Sequence, residues 1–250
     1  MRIHNSVKKI SAFIMVFAMI FSVFTISGSK VTVKASDNPV KMYCCDLQGY
    51  YKYNYQYTVY IQIDAGSASN KQVYVHHDVY VGDWEDTPAT YVKKLDDNTE
   101  LWKATVYGEN TSRYAIKYVG DGITYWDNNN GKNYTTNDSL GQVNVKAIRS
   151  YPQNPSSYYI RADVRNLAYN KVVRVRYTQD NWATYQDVDL NYQSTLTYTS
   201  ADTERWSVAL NLDADKMDSF HYCIYYQVNG QTYWDNNFGE NYDKNFEMKF

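Results

Sequence analysis

The chain has 250 residues, a formal net charge of −2 and 21% charged residues. No basic field is present to draw in phosphates, which argues against a nucleic-acid partner. A 44% hydrophobic content with only four prolines excludes a disordered spacer. The unusual feature is aromatic: 28 tyrosines and 6 tryptophans, side chains with an apolar body and a polar tip that suit both strands and exposed ligand faces.

Arg2 to Lys9 is basic, Ile10 to Ile26 is largely apolar, and Val33-Lys34-Ala35 precedes Ser36. A positive start, an apolar middle and small residues at the end predict a secretory signal peptide over residues 1–35, cleaved after Ala35. A retained anchor is the alternative. The expected location is therefore extracellular, in solution or at the cell surface.

Residues 36–56 read as an irregular, tyrosine-rich leader. Val59, Ile61 and Ile63 alternate with polar residues, as do Val73 and Val75, and both runs predict half-buried strands. Leu101 to Val106 and Tyr114 to Val119 read as two more. A second series follows in the same order: Ile160, Ala162 and Val164, then Val173 and Val175, then Tyr222 to Val228. Asn170-Lys171 matches Asn70-Lys71, Trp182 is aligned with Trp84, and Glu204-Arg205-Trp206 with Glu100-Leu101-Trp102. Short strands between polar turns predict an all-β chain of two tandem antiparallel β-sandwiches, immunoglobulin-like, over 36–136 and 145–250. Residues 137–144, with Pro152 and Pro155, form a joint expected to be short and surface-exposed.

One stretch occurs twice. Thr124-Tyr125-Trp126-Asp127-Asn128-Asn129, with Gly131 and Asn133-Tyr134, returns as Thr232-Tyr233-Trp234-Asp235-Asn236-Asn237, with Gly239 and Asn241-Tyr242. Asn and Asp tolerate left-handed backbone and bond their own main chain, so each block reads as a strand ending in a tight turn. A Trp face beside several amides suits a sugar ring, with its C–H face and hydroxyl rim. Trp84, Trp126, Trp182 and Trp234 lie in polar turn settings and are candidates for binding. Trp102 and Trp206 sit in alternating strands and read as core. Asp127 and Asp235 read as caps of their turns, and Asn129 and Asn237 could equally serve the turn or a sugar.

Cys44, Cys45 and Cys223 give no disulfide framework and no zinc spacing. Cys223 reads as a small core residue, while Cys44 and Cys45 either pair elsewhere or stay reduced. His76 and His77 fall on opposite faces of one strand and read as a packed or solvated pair. Asp and Glu are scattered through turns, without the paired carboxylates that glycoside hydrolysis needs. A non-catalytic protein with no cofactor or metal is the expectation.

Asn166 to Thr178, Trp182, Tyr233 to Asn237 and Asn241-Tyr242 together resemble the family 21 starch-binding carbohydrate-binding module, and the first series resembles it again from Asn70 onward. The resemblance covers two tandem copies. It implies a compact antiparallel β-sandwich and an α-glucan site flanked by Trp182 and Trp234, and in the first copy by Trp84 and Trp126. It further implies sugar contacts from Lys171, Asn236, Asn237 and Asn241, and from Lys71, Asn128, Asn129 and Asn133. The third aromatic of some members falls on Cys223 or Ala115, so that contribution is expected to be missing. A second site is implied at Tyr169, with Tyr192, and Ser69 replaces its first aromatic in the first copy. The implied partner is an α-1,4-linked glucan: starch, amylose, glycogen or maltooligosaccharides. Further candidate partners are a starch-degrading enzyme or a cell-surface scaffold. The alternative is a glycogen-targeting regulatory subunit of protein phosphatase 1, or a surface adhesin of a starch-degrading system.

Overall fold

A computed structural model describes residues 38–244 except 52–53, 81, 96–97 and 109–111. The expected signal peptide, residues 1–35, lies outside them. The described chain is almost wholly antiparallel β. The first series is β1 (Val40–Tyr51), β2 (Asn54–Asp64), β3 (Lys71–Tyr80), β4 (Asp83–Pro88), β5 (Thr90–Lys94), β6 (Thr99–Gly108), β7 (Arg113–Gly120), β8 (Ile123–Asp127) and β9 (Tyr134–Thr135). The second is β10 (Val145–Asn154), β11 (Ser157–Arg165), β12 (Lys171–Thr178), β13 (Gln186–Asp189), β14 (Asn191–Leu196), β15 (Thr203–Asn211), β16 (His221–Val228), β17 (Gln231–Asp235) and β18 (Tyr242–Asp243), with a 3-10 segment at Ala214–Ser219 before β16.

Each series folds into two sheets with the same strand order. Sheet β1-β2-β6-β5 faces β4-β3-β7-β8, and sheet β10-β11-β15-β14 faces β13-β12-β16-β17; β9 and β18 add to β7 and β16. Strand alternation explains the layering, because successive side chains point to opposite faces. Val173, Val175 and Tyr177 point inward to meet Ile160, Ala162 and Val164, and Val73 and Val75 meet Val59, Ile61 and Ile63 in the same way. Each fully buried aliphatic side chain contributes about 1.5–3 kcal/mol. Trp102 and Trp206 pack against the two cores, as their strand positions predict. Residues 40–51 depart from expectation. The stretch read as a leader is a full edge strand, paired with β2 through two register shifts.

The joint also departs from expectation. Asp138, Ser139 and Leu140 are buried, because the segment runs beside β1: the Cys45 N–H donates to the Ser139 carbonyl and the Gln142 N–H to the Tyr43 carbonyl. Arg165 donates to the Gly141 carbonyl at 2.6 Å. Pro152 and Pro155 lie beyond the joint, at the β10–β11 end.

The modules share a buried ionic contact. Lys146 on β10 reaches Asp46 on β1 at 2.6 Å, both almost fully buried, and donates to the Tyr242 hydroxyl at 3.0 Å. Burial pushes the Asp46 carboxyl above its ordinary range, against the lowering effect of Lys146. Cys44, Cys45 and Cys223 are free thiols and buried.

Candidate functional site

The outer face of sheet β13-β12-β16-β17 carries the side chains that alternate with the core. Arg176 lies opposite Asp187 on one side and Cys223 on the other. Tyr225 lies opposite Arg174 and Trp234. The Arg176 guanidinium donates to both Asp187 oxygens at 2.8 Å, a two-point geometry that fixes its plane. It then sits 4.0 Å from the Tyr185 ring centroid, 5.6 Å from Tyr225 and 5.4 Å from Trp234, all within cation–π range. Tyr225 is buried beneath, with its ring 4.9 Å from Trp234 and its hydroxyl donating to Asp187 at 3.2 Å. Tyr185 and Trp234 remain 56% and 47% exposed. Hydrogen bonds from Arg176 hold the Asp187 carboxyl below the usual carboxylate range despite partial burial. The result is a rigid patch of two open aromatic rings around a fixed charged pair.

The first module builds the same patch from other residues. His76 occupies the Arg176 position, stacked on Trp84 at 4.9 Å and edge-on to Trp126 at 5.2 Å. Asp86, opposite His76 in register, lies 2.7 Å from its Nδ1 and accepts from Lys117 Nζ at 2.6 Å. Burial raises the Asp86 carboxyl, but bonds from Lys117 and His76 outweigh it and hold the group low. Lys117 lies 5.9 Å from the Trp126 centroid.

This register corrects the alignment of Trp182. Asp86 faces His76 and Asp187 faces Arg176, so the counterpart of Trp84 is Tyr185. Trp182 lies three residues earlier, at a left-handed φ of 70°, with its N–H donating to Thr178 Oγ1 at 3.0 Å. Among the described residues no ring contact joins it to Trp234. Tyr225, two residues beyond Cys223, is buried under Trp234. Cys223 is buried as expected, but it lies opposite Arg176 beneath the patch and outside the inter-sheet cluster. Burial pushes its thiol up to about 11 while Arg176 pulls it back.

The Asn turns are self-supporting. Asn128 and Asn236 each accept the N–H of the following Gly at 3.0 Å through Oδ1. Asn129 Nδ2 donates to the Asn133 carbonyl at 2.9 Å and Asn237 Nδ2 to the Asn241 carbonyl at 3.1 Å. Asn129, Asn133, Asn237 and Asn241 have φ between 51° and 59°, a region Asn tolerates. Phe238 adopts φ 58° where the first turn has Asn130 at 55°, at a cost of about 1–2 kcal/mol. Its ring is packed against Tyr60 at 4.6 Å and Tyr43 at 6.0 Å. Asp127 and Asp235 cap their turns and tie them to the module's first strand, accepting from Met42 N at 2.7 Å and Ala147 N at 2.5 Å. Tyr134 and Tyr242 donate to the same carboxylates. The side-chain amides of Asn133 and Asn241 make no hydrogen bond within the described residues.

Lys71 and Lys171 point between the sheets. Lys71 pairs with Glu100 at 2.6 Å and Lys171 with Glu204 at 2.8 Å, and the same glutamates accept the indole N–H of Trp102 and Trp206. They are inter-sheet ties, turned away from the aromatic patches. Tyr169 is 96% exposed and borders an open groove of about 560 Å³ with Asn170, Gln227 and Gln231. Tyr192 is not among that groove's walls; it lies edge-on to Trp206 at 5.7 Å.

Tyr185, Tyr225, Arg176, Lys117 and the aspartates of the two patches were not singled out from the sequence, and His76 was read only as part of a packed or solvated pair. The signal was there in parity: the residues that alternate with the inward-facing Val73 and Val75, and with Val173 and Val175, face out.

Residues 143–245 match the family described as "Carbohydrate/starch-binding module (family 21)", so one such domain is found in the second module. Among curated proteins, the chain is similar to protein phosphatase 1 regulatory subunit 3B of Homo sapiens, 40% identical over 82 residues, or 32% of this chain and 28% of that protein. It is also similar to subunit 3C of Bos taurus, 36% identical over 81 residues, or 32% of this chain and 25% of that protein. The chain thus spans about a quarter of the length of these relatives. Two solved structures are similar. One is the carbohydrate-binding module of the muscle glycogen-targeting subunit of protein phosphatase-1: 26% identity, 40% of this chain and 75% of that one, TM-score 0.34. The other is the starch-binding domain of Rhizopus oryzae glucoamylase with beta-cyclodextrin and maltoheptaose: 21% identity, 41% and 92%, TM-score 0.32.

Proposed function

We propose that the chain is a non-catalytic α-glucan-binding protein, in which each module presents one aromatic patch to the polymer. The observation that carries this reading is the Tyr185–Arg176–Trp234 patch, which lies within the residues that match a carbohydrate-binding family. Open aromatic rings stack on the C–H faces of glucose, and rigid rings lose little entropy on binding. Arg176, Asp187 and the Asn241 amide offer hydrogen bonds to hydroxyls; these orient more than they stabilise, since hydroxyls are already solvated. The first module takes part as a second copy through Trp84, His76 and Trp126, a reading supported by its identical strand order and matching patch. Two weak sites on one body gain by effective concentration on a multivalent polymer.

Export through residues 1–35 would place this activity outside the cell, with starch or glycogen there as the target. The test is retention of residues 36–250 on insoluble starch, with cellulose as control and reducing sugar assayed in the supernatant. Starch-selective retention released by maltooligosaccharide, without sugar production, supports the reading. Sugar release would make the protein an enzyme, and no retention would make the patches structural.

A second reading follows from the relatives. Their names carry protein phosphatase 1 regulation, so recruitment of that phosphatase to glycogen is the alternative role. It requires capture of the phosphatase catalytic subunit by the purified chain, which the glucan-binding reading does not.

A further inference from the structure

Both Asn turns sit at the module junction, and they meet it differently. The second-module turn is packed in place, with Phe238 against Tyr60 and Tyr43 and its carbonyl accepting from Lys93. The first-module turn opens on a cleft of about 420 Å³ whose other wall is the second module's 197–200 loop. Turn and loop are pinned to each other. Asn129 Nδ2 donates to Ser200 Oγ at 2.6 Å, and the Ser200 N–H donates to Asp138 Oδ1 at 2.5 Å. The other Asp138 oxygen accepts from the Thr135 N–H at 2.7 Å, so the carboxylate is committed to holding the walls.

Three polar side chains lining the cleft are not consumed in this way, and the Tyr198 ring is open although its hydroxyl bonds to Arg205. Tyr198 is 56% exposed, and Asn130, Lys132 and Asn133 make no side-chain hydrogen bond or ion pair within the described residues. One open ring, two amides and one ammonium suit a neutral polyhydroxyl ligand. The volume falls in the range of small-molecule sites. We infer that this cleft is a further α-glucan subsite, assembled from both modules: Tyr198 of the second carries a sugar face, and Asn130, Lys132 and Asn133 of the first take its hydroxyls. The inference rests on the glucan-binding reading above. It gives the pair of modules a site that neither has alone, and it explains why only the second turn is packed shut.

The test is a titration of residues 36–250 with maltoheptaose, read residue by residue by NMR. The amides of residues 197–200 and the side-chain amides of Asn130 and Asn133 are expected to shift together with the Trp126 and Trp234 indoles. Tyr198→Ala should weaken the response of the cleft signals roughly fivefold or more, as truncating an aromatic anchor does, while the Trp234 indole still responds. Tyr198→Phe, which keeps the ring, should restore the cleft response. Tyr198 lies on an exposed turn, so unchanged circular dichroism is expected in both variants. Shifts at the two indoles with a silent cleft, or an unchanged cleft response in Tyr198→Ala, would overturn the inference and leave the patches standing. Silence at every one of these signals would overturn the glucan-binding reading itself.

Discussion

Lys171 is the residue at which resemblance and structure part most clearly. A lysine after the first strand is a sugar ligand by resemblance. Here its ammonium lies between the sheets, 2.8 Å from Glu204 and 2.5 Å from Asn166 Oδ1, with 3% of its side chain exposed. Removing one partner of a buried pair leaves the other charge uncompensated, so Lys171→Ala should lower unfolding stability by about 3 kcal/mol. Urea titration measures that loss. Glucan affinity of the protein that remains folded should be unchanged; a selective loss of affinity at full stability would return Lys171 to the site. Asp187 has a signed pH dependence. Its folded carboxyl titrates below its unfolded value because Arg176 donates to it. The stability it contributes is therefore fully present above about pH 4 and is lost as pH falls through the lower folded value. The stability gap between the parent and Asp187→Asn should be flat at neutral pH and narrow on acidification. A gap that widens in acid would contradict the pairing.

At the scale of elements, the turn after each Trp was legible because Asn and Gly are the residues that most readily run left-handed. Asn129→Ala forces φ 53° on a residue that disfavours it and deletes the bonds to the Asn133 carbonyl and Ser200. A loss of about 2 kcal/mol is expected, against less for Asn129→Gly, which keeps the backbone free. Thermal unfolding of the two variants checks it, and equal losses would mean that the side-chain bonds dominate. The strands with strict alternation, such as Val173 to Tyr177, were legible as half-buried for the same local reason. β1 was not, because its edge strand is bulged and alternation breaks at each register shift. The equivalence of Trp84 with Tyr185 was also hidden. It depends on which residue of β13 pairs with Arg176, and a loop of different length moves the indole out of line without moving the site.

The whole molecule is more tightly joined than two sandwiches on a linker. The recurrence of the strand series was legible because the sequence repeats itself. The junction was not, since Asp46, Lys146 and Phe238 gain their meaning only from partners far away in the chain. Asp46→Ala removes the nearer carboxylate of the buried Lys146 ammonium and leaves it Tyr242 and the Asp235 carboxylate at 3.9 Å. It should cost about 3–5 kcal/mol. Calorimetry should show the cost in both modules, because they share the contact; destabilisation confined to the first module would mean that they fold independently. The fixed junction also holds the two aromatic patches at a set separation, so the pair should favour polymer over short oligosaccharides.

The most direct measurement is the affinity of maltoheptaose for the parent, Trp126→Ala, Trp234→Ala and the double variant, each verified as folded. Both indoles are substantially exposed, at 42% and 47%, so stability should change by less than about 1 kcal/mol. Each single variant should lose the sites of one module, and the double variant should bind at least tenfold more weakly, about 1.4 kcal/mol. A folded double variant that binds as tightly as the parent would remove the aromatic patches from the account.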